Sequence, residues 1–301
     1  MYKYKLLYVI ILIFGSIAVK AQDTSLLKML DDSMSVSKKH IPVTGTFKGT
    51  HIINIQSVEA PAKQALMFWI MHRFGELNDG GYQLFGLDNA TMRFGFDYGV
   101  TDRLSIGVGR STFEKTFDGT IKYKLLRQTE DNNMPITADL FGGMYYKTLK
   151  YDDKTYLNAK RRTSYAAEVL LARKFSRDFS LQLTPIWLHY NLVPATVDKN
   201  DIFAMGIGGR IKLSRRISLN AEYDYLPDGQ VKSTNVHSSL SLGVDIETGG
   251  HVFQLHVTNS QGMIDPAFIA QTTGTWGKGN IFFGFNVSRA FYIGKKAKDI
   301  H

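Results

Sequence analysis

The feature that most constrains this chain is the alternation of apolar and polar residues in segments of about ten residues. In the clearest segment, Thr91 to Val100, Met, Phe and Tyr side chains alternate with Arg, Gly and Asp. Because successive side chains of a β-strand point to opposite faces, such a segment forms a strand with one apolar and one polar face. About twelve segments predict an all-β chain: Gln64–Phe74, Thr91–Val100, Arg103–Arg110, Thr116–Leu126, Pro135–Lys147, Thr163–Lys174, Asp178–Tyr190, Phe203–Leu213, Ile217–Tyr225, Ser239–Ile246, His251–Asn259 and Asn280–Ile293.

Two residues interrupt this pattern. Arg289 falls on the apolar face of the last segment, so we expect either a bulge that shifts the register or an arginine that extends its charge to the membrane interface. Pro185 has no backbone N–H and removes one hydrogen bond of the ladder, which predicts a bulge in the seventh segment.

The lengths of the connections are a second signal. Connections after even-numbered segments are mostly short, such as Thr101-Asp102 and Ser176-Arg177, whereas those after odd-numbered segments are mostly longer. An outer-membrane barrel has short periplasmic turns and longer outer loops, and a soluble β-sandwich has no reason to keep such a parity. The sequence therefore predicts a single antiparallel transmembrane β-barrel of about twelve strands.

The N-terminus carries the order of charges and apolar residues that is typical of a secretory signal peptide. Two lysines precede the apolar run Leu6 to Phe14, and small residues lead to Ala21, after which we expect cleavage. The alternative, an N-terminal membrane helix, is disfavoured because the run is shorter than the ~20 residues that cross a bilayer. The sequence divides into a signal peptide (1–21), a periplasmic lead that is helical or disordered (22–43), the barrel (44–294) and a basic C-terminal tail (295–301).

Composition excludes several classes of site. The chain has no cysteine, which excludes disulfides, thiol nucleophiles and thiolate metal sites. Its histidines form no ligand cluster, so we expect no metal and no cofactor. A lipid-facing hydrolase would need a serine and an orienting group beside His189, but no Gly-x-Ser-x-Gly motif is present, and we expect no enzyme. The sequence also lacks the basic helix or the aromatic and basic cluster of a nucleic-acid-binding protein.

Three stretches carry a family resemblance. Residues 46–61 (TFKGTHIINIQSVEAP), 85–128 and 134–142 resemble a family of exported β-barrels from Bacteroidota, which is catalogued as domain of unknown function 5777. The resemblance extends over nearly all of the chain after the signal peptide and is densest at Phe85–Gln128. It implies an outer-membrane barrel, but no activity is established for the family, so the resemblance assigns no functional residues.

The polar face of the segments carries charges of both signs. One interpretation is a polar path that selects solutes by charge, and the other is a ladder of ion pairs that fills a closed lumen. Barrels of eight strands are filled and those of sixteen leave a channel, so about twelve strands are intermediate, and we favour a filled or plugged lumen. The candidate lumen-lining residues are Arg93, Asp97, Lys122, Lys124, Asp139, Glu168, Arg210, Lys212, Glu222, Asp224 and Asp245.

Two further segments are candidate plugs. The loop Gly262–Gly279 is unusually apolar for an exposed connection, and we expect it to fold into the barrel mouth; the alternative is an apolar ligand or partner. Asp23–His40 has leucines and methionines at near-helical spacing and could enter the lumen or dock a periplasmic partner, although disorder fits equally well. The candidate plug residues of the loop are Met263, Ile264, Phe268, Ile269 and Trp276.

Two charged loops have less specific interpretations. Arg110, Glu114, Lys115 and Asp118 could bind an anionic solute, but a salt-bridged turn is favoured. Lys147–Arg162 is rich in lysine and arginine, and it either meets lipopolysaccharide phosphates or is simply solvated.

The functional interpretation is a porin-like outer-membrane barrel without an assigned substrate. It would pass or bind small solutes through a charged and plugged lumen, with membrane lipid and lipopolysaccharide as its partners and its oligomeric state left open. The alternatives are a closed structural or docking barrel without transport, and a soluble periplasmic β-protein.

Overall fold

The structure, a computed structural model, describes residues 40–154 and 156–294. The predicted signal peptide, most of the predicted lead and the basic tail lie outside these residues, as does Asp23–His40 except for its last residue. The strands are β1 (Ala65–Glu76), β2 (Ala90–Gly99), β3 (Leu104–Ser111), β4 (Thr116–Leu126), β5 (Thr137–Lys147), β6 (Thr163–Lys174), β7 (Phe179–Tyr190), β8 (Asp201–Lys212), β9 (Ile217–Tyr225), β10 (Ser239–Thr248), β11 (His251–Thr258) and β12 (Phe282–Tyr292).

The strands form one closed antiparallel barrel, which confirms the predicted fold. Each strand pairs with its sequence neighbours, and β1 pairs with β12 to close the ring. Closure leaves no strand edge exposed, so backbone donors and acceptors in the wall are paired. In the described ranges, no helix has both the length and the hydropathy to span a bilayer.

Alternation along each strand separates the two faces of the wall. On β9, Ile217, Leu219 and Tyr223 are exposed on the outside, whereas Ser218 and Glu222 are buried in the lumen. The connections after even strands lie at one end of the barrel, the short-turn end, and those after odd strands at the other, the long-loop end.

The prediction of a bulge at Pro185 is wrong. The pairing of β6 with β7 is interrupted around Pro185, but Glu168 pairs with Ile186 and Leu171 with Leu183, which is the same register on both sides of the gap. The neighbouring β8 pairs with β7 without any shift, so it holds the strand in place where the proline cannot donate.

Arg289 also leaves the register of β12 unshifted. Its partners are His251 on β11 and Phe68 on β1, and both ladders run without a shift there; the β1–β12 register shifts only between Arg73 and Glu76. The guanidinium lies 4.9 Å from the centre of the Phe291 ring, on the outer face near the short-turn end. Of the two expectations for this residue, the extended arginine is therefore the one observed.

The wall begins at Ala65, and residues 45–59, assigned above to the barrel, lie inside it. They form a hairpin in which Ile52 N–H donates to the Ile55 carbonyl and Ser57 N–H donates to the Thr50 carbonyl, both at 2.9 Å. A closed wall offers this segment no edge to pair with, so its backbone is bonded by wall side chains instead. We call residues 45–59 the lumen hairpin.

Both ends of the lumen hairpin lie at the short-turn end. Before it, Val43 N–H donates to the Gln128 carbonyl in the turn between β4 and β5. After it, Gln64 N–H donates to the Gly99 carbonyl at the end of β2. The chain thus enters the lumen and leaves it through the same opening.

Candidate functional site in the barrel lumen

The predicted lumen residues lie on the inner face of the wall. Asp97, Lys124 and Lys212 are partly exposed. The others are buried: Arg93, Lys122, Asp139, Glu168, Arg210, Glu222, Asp224 and Asp245. Alternation along the strands predicted the face on which these side chains lie, but it did not indicate what they contact.

Glu222 holds the tip of the lumen hairpin. Its carboxylate accepts the backbone N–H groups of Ile53 at 2.9 Å, Asn54 at 2.9 and 3.1 Å, and Ile55 at 3.1 Å. The carboxylate and all three N–H groups are buried. The charge of Glu222 is therefore compensated by peptide dipoles of the hairpin, and the hairpin depends on Glu222 to pair these donors.

Lys122 joins the two legs of the lumen hairpin. Its buried ammonium donates to the carbonyl oxygens of Thr50 at 3.3 Å, Ser57 at 2.8 Å and Glu59 at 3.1 Å. A lysine has three donors, and all three are used here on backbone acceptors. Lys122 is thus a structural ligand of the hairpin rather than a free charge facing a water-filled path.

Side-chain amides of the wall bond the remaining hairpin backbone. Gln182 donates to the Gln56 carbonyl at 2.7 Å and accepts the Val58 N–H at 3.0 Å. On β11 and β12, Gln254 and Asn286 donate to the Ile52 and Ile53 carbonyls at 2.6 and 3.1 Å. The hairpin is therefore bonded from most sides of the barrel.

The apolar tip of the hairpin fits against wall residues without side chains. A Cβ atom placed on Gly208 would lie 2.3 Å from Cδ1 of Ile52, and one on Gly243 would lie 3.2 Å from Cδ1 of Ile53. At Gly208 the approach is too close for any other residue unless the isoleucine moves. These glycines make room in the lumen that the hairpin then fills.

A loop fills the lumen nearer the long-loop end. Residues 262–270, which we call the cap loop, contain the helix α1 (Asp265–Ala270), and every residue of that helix is buried. Met263, Ile264, Phe268 and Ile269 are buried as well, whereas Trp276 is partly exposed and donates its indole N–H to the Leu240 carbonyl at 3.1 Å. Ile264 and Phe268 share one apolar cluster with Phe47, Ile52 and Ile55 of the hairpin, so the two elements meet inside the barrel.

Little space remains between the hairpin, the cap loop and the wall. Two cavities at this level have volumes of about 10 Å³ each. A cavity of that size holds one water molecule at most. One is lined by Asp97 and Lys122, and the other by His51 and Asp265, so the predicted lumen charges surround packed protein here.

Arg93 and Asp118 form a buried ion pair. Nε of Arg93 lies 3.1 Å from Oδ1 of Asp118, and Nη2 lies 2.6 Å from Oδ2, a two-bond arrangement. The sequence grouped Asp118 with Arg110, Glu114 and Lys115 in one loop, but the structure does not bring these four together. Glu114 instead pairs with Lys147 at 2.5 Å.

In the part of the chain that the structure describes, ion pairs do not form a ladder that fills the lumen. Within the described residues, the carboxylate oxygens of Asp139, Glu168 and Asp224 have no hydrogen-bond partner, although all three residues are buried. Both signs of charge are present, but Lys122 is bonded to the hairpin and Arg93 is bonded to Asp118. The hairpin, rather than charge pairing across the lumen, occupies the interior.

Asp265 gives the cap loop a pH dependence. Burial raises the pKa of this carboxyl from 3.8 to about 7, and the Tyr145 hydroxyl donates to it. Because the folded loop binds the proton more tightly than the unfolded loop, protonation of Asp265 stabilises the folded loop. This stabilisation is complete below pH 3.8 and is lost as pH rises through about 7.

We therefore expect backbone amides of the cap loop to exchange hydrogen faster as pH rises from about 5 to about 8, after correction for intrinsic exchange. Hydrogen-exchange mass spectrometry checks this. Asp265→Asn should remove the dependence, and an equal pH response in that variant would assign it to another group.

The sequence did not indicate the lumen hairpin or Arg73. Arg73 is fully buried and donates to Oδ1 of Asn54 at 2.7 Å. On β1 it follows Trp69 and Met71 on the inner face, so apolar residues on both faces hide the alternation there. The signal that sequence reasoning missed is the isoleucine-rich stretch Ile52–Ile55, which precedes a set of segments that already completes the wall.

Within residues 40–154 and 156–294, candidate metal-binding and catalytic side chains do not cluster. Among the described residues, no three His, Asp or Glu side chains are placed to hold a metal ion. At the outer rim, Nδ1 of His189 lies 2.9 Å from Oδ1 of Asp201, which also accepts the Trp187 indole N–H at 3.1 Å. His189 makes no hydrogen bond to a hydroxyl group in the described part of the chain.

Comparison with known proteins gives one family and several similar structures. Residues 47–291 match the family described as a membrane bound beta barrel domain (DUF5777). No curated protein is significantly similar in sequence. The structure is similar to the NanC porin (8% identity, TM-score 0.48, covering 75% of this chain and 98% of that one). It is also similar to an outer membrane channel from Pseudomonas putida F1 (13% identity, TM-score 0.46, covering 77% of this chain and 97% of that one). A third similar structure is the outer membrane protein Omp33 of Acinetobacter baumannii (8% identity, TM-score 0.41, covering 78% of this chain and 100% of that one).

Proposed function

Because this chain belongs to the family of membrane bound beta barrel domains (DUF5777), we propose that it lies in a bacterial outer membrane and passes small solutes when its lumen hairpin is displaced. The observation that supports this is the way the lumen is filled. A separate segment occupies it, and polar wall side chains bond that segment through its backbone. Export with cleavage after Ala21 and an origin in Bacteroidota belong to the same proposal, which includes no enzymatic activity.

The chemistry of the contacts favours a stopper that can leave. Glu222, Lys122 and Gln182 would be hydrated by water if the hairpin withdrew, as polar groups that line aqueous barrels are. Because both hairpin ends lie at the short-turn end, withdrawal requires no threading of the chain past the wall. A permanently closed core would gain more from apolar packing on both sides.

A reversible lock tests passage. The chain has no cysteine, so Thr50→Cys/Asp97→Cys introduces a single possible disulfide between side chains whose oxygens are 2.7 Å apart. We expect the unmodified barrel to let arabinose into proteoliposomes in a swelling assay. The oxidised double variant should fall to the rate of protein-free vesicles, because its hairpin cannot withdraw, and reductant should restore the rate.

Thr50→Cys alone is the matched control and should not respond to oxidation. Equal swelling of the oxidised and reduced double variants would mean that solutes bypass the hairpin. The absence of swelling in every form would favour the second candidate, a closed structural or docking barrel. That candidate draws on the same observation, because bonding of the hairpin from so many strands makes displacement costly.

Lipid and lipopolysaccharide are the proposed partners of the outer surface. The outer face of the wall is apolar, as on β3, where Ile106 and Val108 are exposed. In the loop between β5 and β6, Lys150, Lys160 and Arg161 are exposed on the long-loop end. Phosphate groups would be attracted to these cations.

A further inference from the structure

A larger cavity than the two of about 10 Å³ opens at the long-loop end, outside the filled part of the lumen. Its volume is about 470 Å³, which is within the ~300–1,000 Å³ of sites for small ligands. It lies between the loop after β1 and the loop after β11. Nothing in the passage proposal requires this cavity, because the lumen hairpin does not line it.

Three of the polar side chains that line this cavity are available for a ligand. It is lined by the amides of Asn89, Gln261 and Gln271 and by the carboxylates of Glu76 and Asp79. In the described residues, the side chains of Gln261, Gln271 and Asp79 make no hydrogen bond. One oxygen of Glu76 accepts from Asn280 at 2.6 Å, which fixes that carboxylate at the cavity wall.

The character of the lining selects a class of ligand. Amides donate and accept hydrogen bonds, and carboxylates accept them, so together they match neighbouring hydroxyl groups. The ring of Phe113 adds an apolar surface, and none of the described residues that line the cavity is a lysine or an arginine. Two carboxylates without a cation disfavour an anionic ligand.

We propose that this cavity binds a neutral polyhydroxylated solute of the saccharide class. Gln261 precedes the cap loop and Gln271 follows helix α1, so a ligand that bonds both amides spans the cap loop. Gly262 permits this arrangement, because a Cβ atom there would lie 2.4 Å from Cβ of Ala267. The ligand would thus rest on the outer side of the element that fills the lumen mouth. The proposal goes beyond passage, since binding at the mouth does not require the hairpin to move.

Saturation-transfer NMR on the full protein tests binding, in a detergent without a sugar headgroup. The probes are maltose (neutral), digalacturonate (anionic) and spermidine (cationic). We expect maltose to bind and the two charged probes not to compete with it. Gln261→Ala/Gln271→Ala should weaken maltose binding about tenfold or more, the loss expected for two hydrogen bonds.

Asn235→Ala is the matched control, because it removes an exposed amide from a different outer loop. It should leave maltose binding unchanged. The proposal is overturned if maltose does not bind, if the double glutamine variant binds it as tightly as the unmodified chain, or if either charged probe displaces it. A lack of arabinose flux in the swelling assay would count against passage alone and leave this site intact.

Discussion

Glu222→Ala is expected to unseat the lumen hairpin and to lower the free energy of unfolding by about 3 kcal/mol, because a buried donor without a partner costs about 1–3 kcal/mol. Three backbone N–H groups lose their acceptor together, and water entering the vacated space would recover part of the loss. Urea unfolding in lipid vesicles measures the change in stability. Protease cleavage within residues 45–59 should rise in parallel.

Glu168→Ala is the matched control for this prediction. Glu168 is a buried carboxylate on the same inner face, but its oxygens have no hydrogen-bond partner in the described residues. Its removal should leave stability unchanged or raise it, since no donor loses an acceptor. If the two alanine variants lost equal stability, the hydrogen bonds from Glu222 to the hairpin would not explain the loss.

The ion pair of Arg93 and Asp118 should show strong coupling. Asp118→Leu leaves the guanidinium buried without its carboxylate, and Arg93→Met leaves the reverse, so each change should cost about 3–5 kcal/mol. The double variant should lose far less than the sum, because the desolvation penalties of both charges disappear together. A double-mutant cycle from urea unfolding in vesicles measures this coupling.

Additive losses in that cycle would contradict the prediction, since they would mean that the two residues act independently. Arg110→Met is a suitable control for the loss of an arginine. Arg110 lies on the exposed face of β3, over the ring of Phe117 at 5.3 Å, and it pairs with no buried carboxylate among the described residues. Its change in stability should stay within about 1 kcal/mol.

The fold was predictable because its signals are local. Alternation on a strand such as β9 depends on residues two positions apart, and connection length depends only on where a strand ends. The predicted bulge at Pro185 failed because a neighbouring strand, rather than the proline, sets the register. The apolar composition of Gly262–Gly279 predicted burial of the whole loop, whereas the structure buries residues 262–270 and leaves Trp276 partly exposed.

The contents of the lumen could not be predicted in the same way. Glu222 and Ile53 are separated by 169 positions in the chain, and Asn286 and Ile53 by 233. No periodicity connects residues so far apart. The sequence around a glutamate on a polar face is the same whether its carboxylate contacts water, a lysine or a peptide N–H group. Alternation of charged and apolar residues therefore predicts an inner face of the wall but gives no information about what occupies the lumen.

The position of the lumen hairpin ahead of β1 has a consequence for assembly. The stopper is made first, yet two of its acceptors are bonded from β11 and β12, the last strands to be made. The backbone of Ile52 and Ile53 must therefore stay hydrated until β11 and β12 have joined the wall. Closure of the barrel and insertion of the lumen hairpin should then occur as one late cooperative step. We expect this step to be slow, because the contacts that it forms join residues far apart in the sequence.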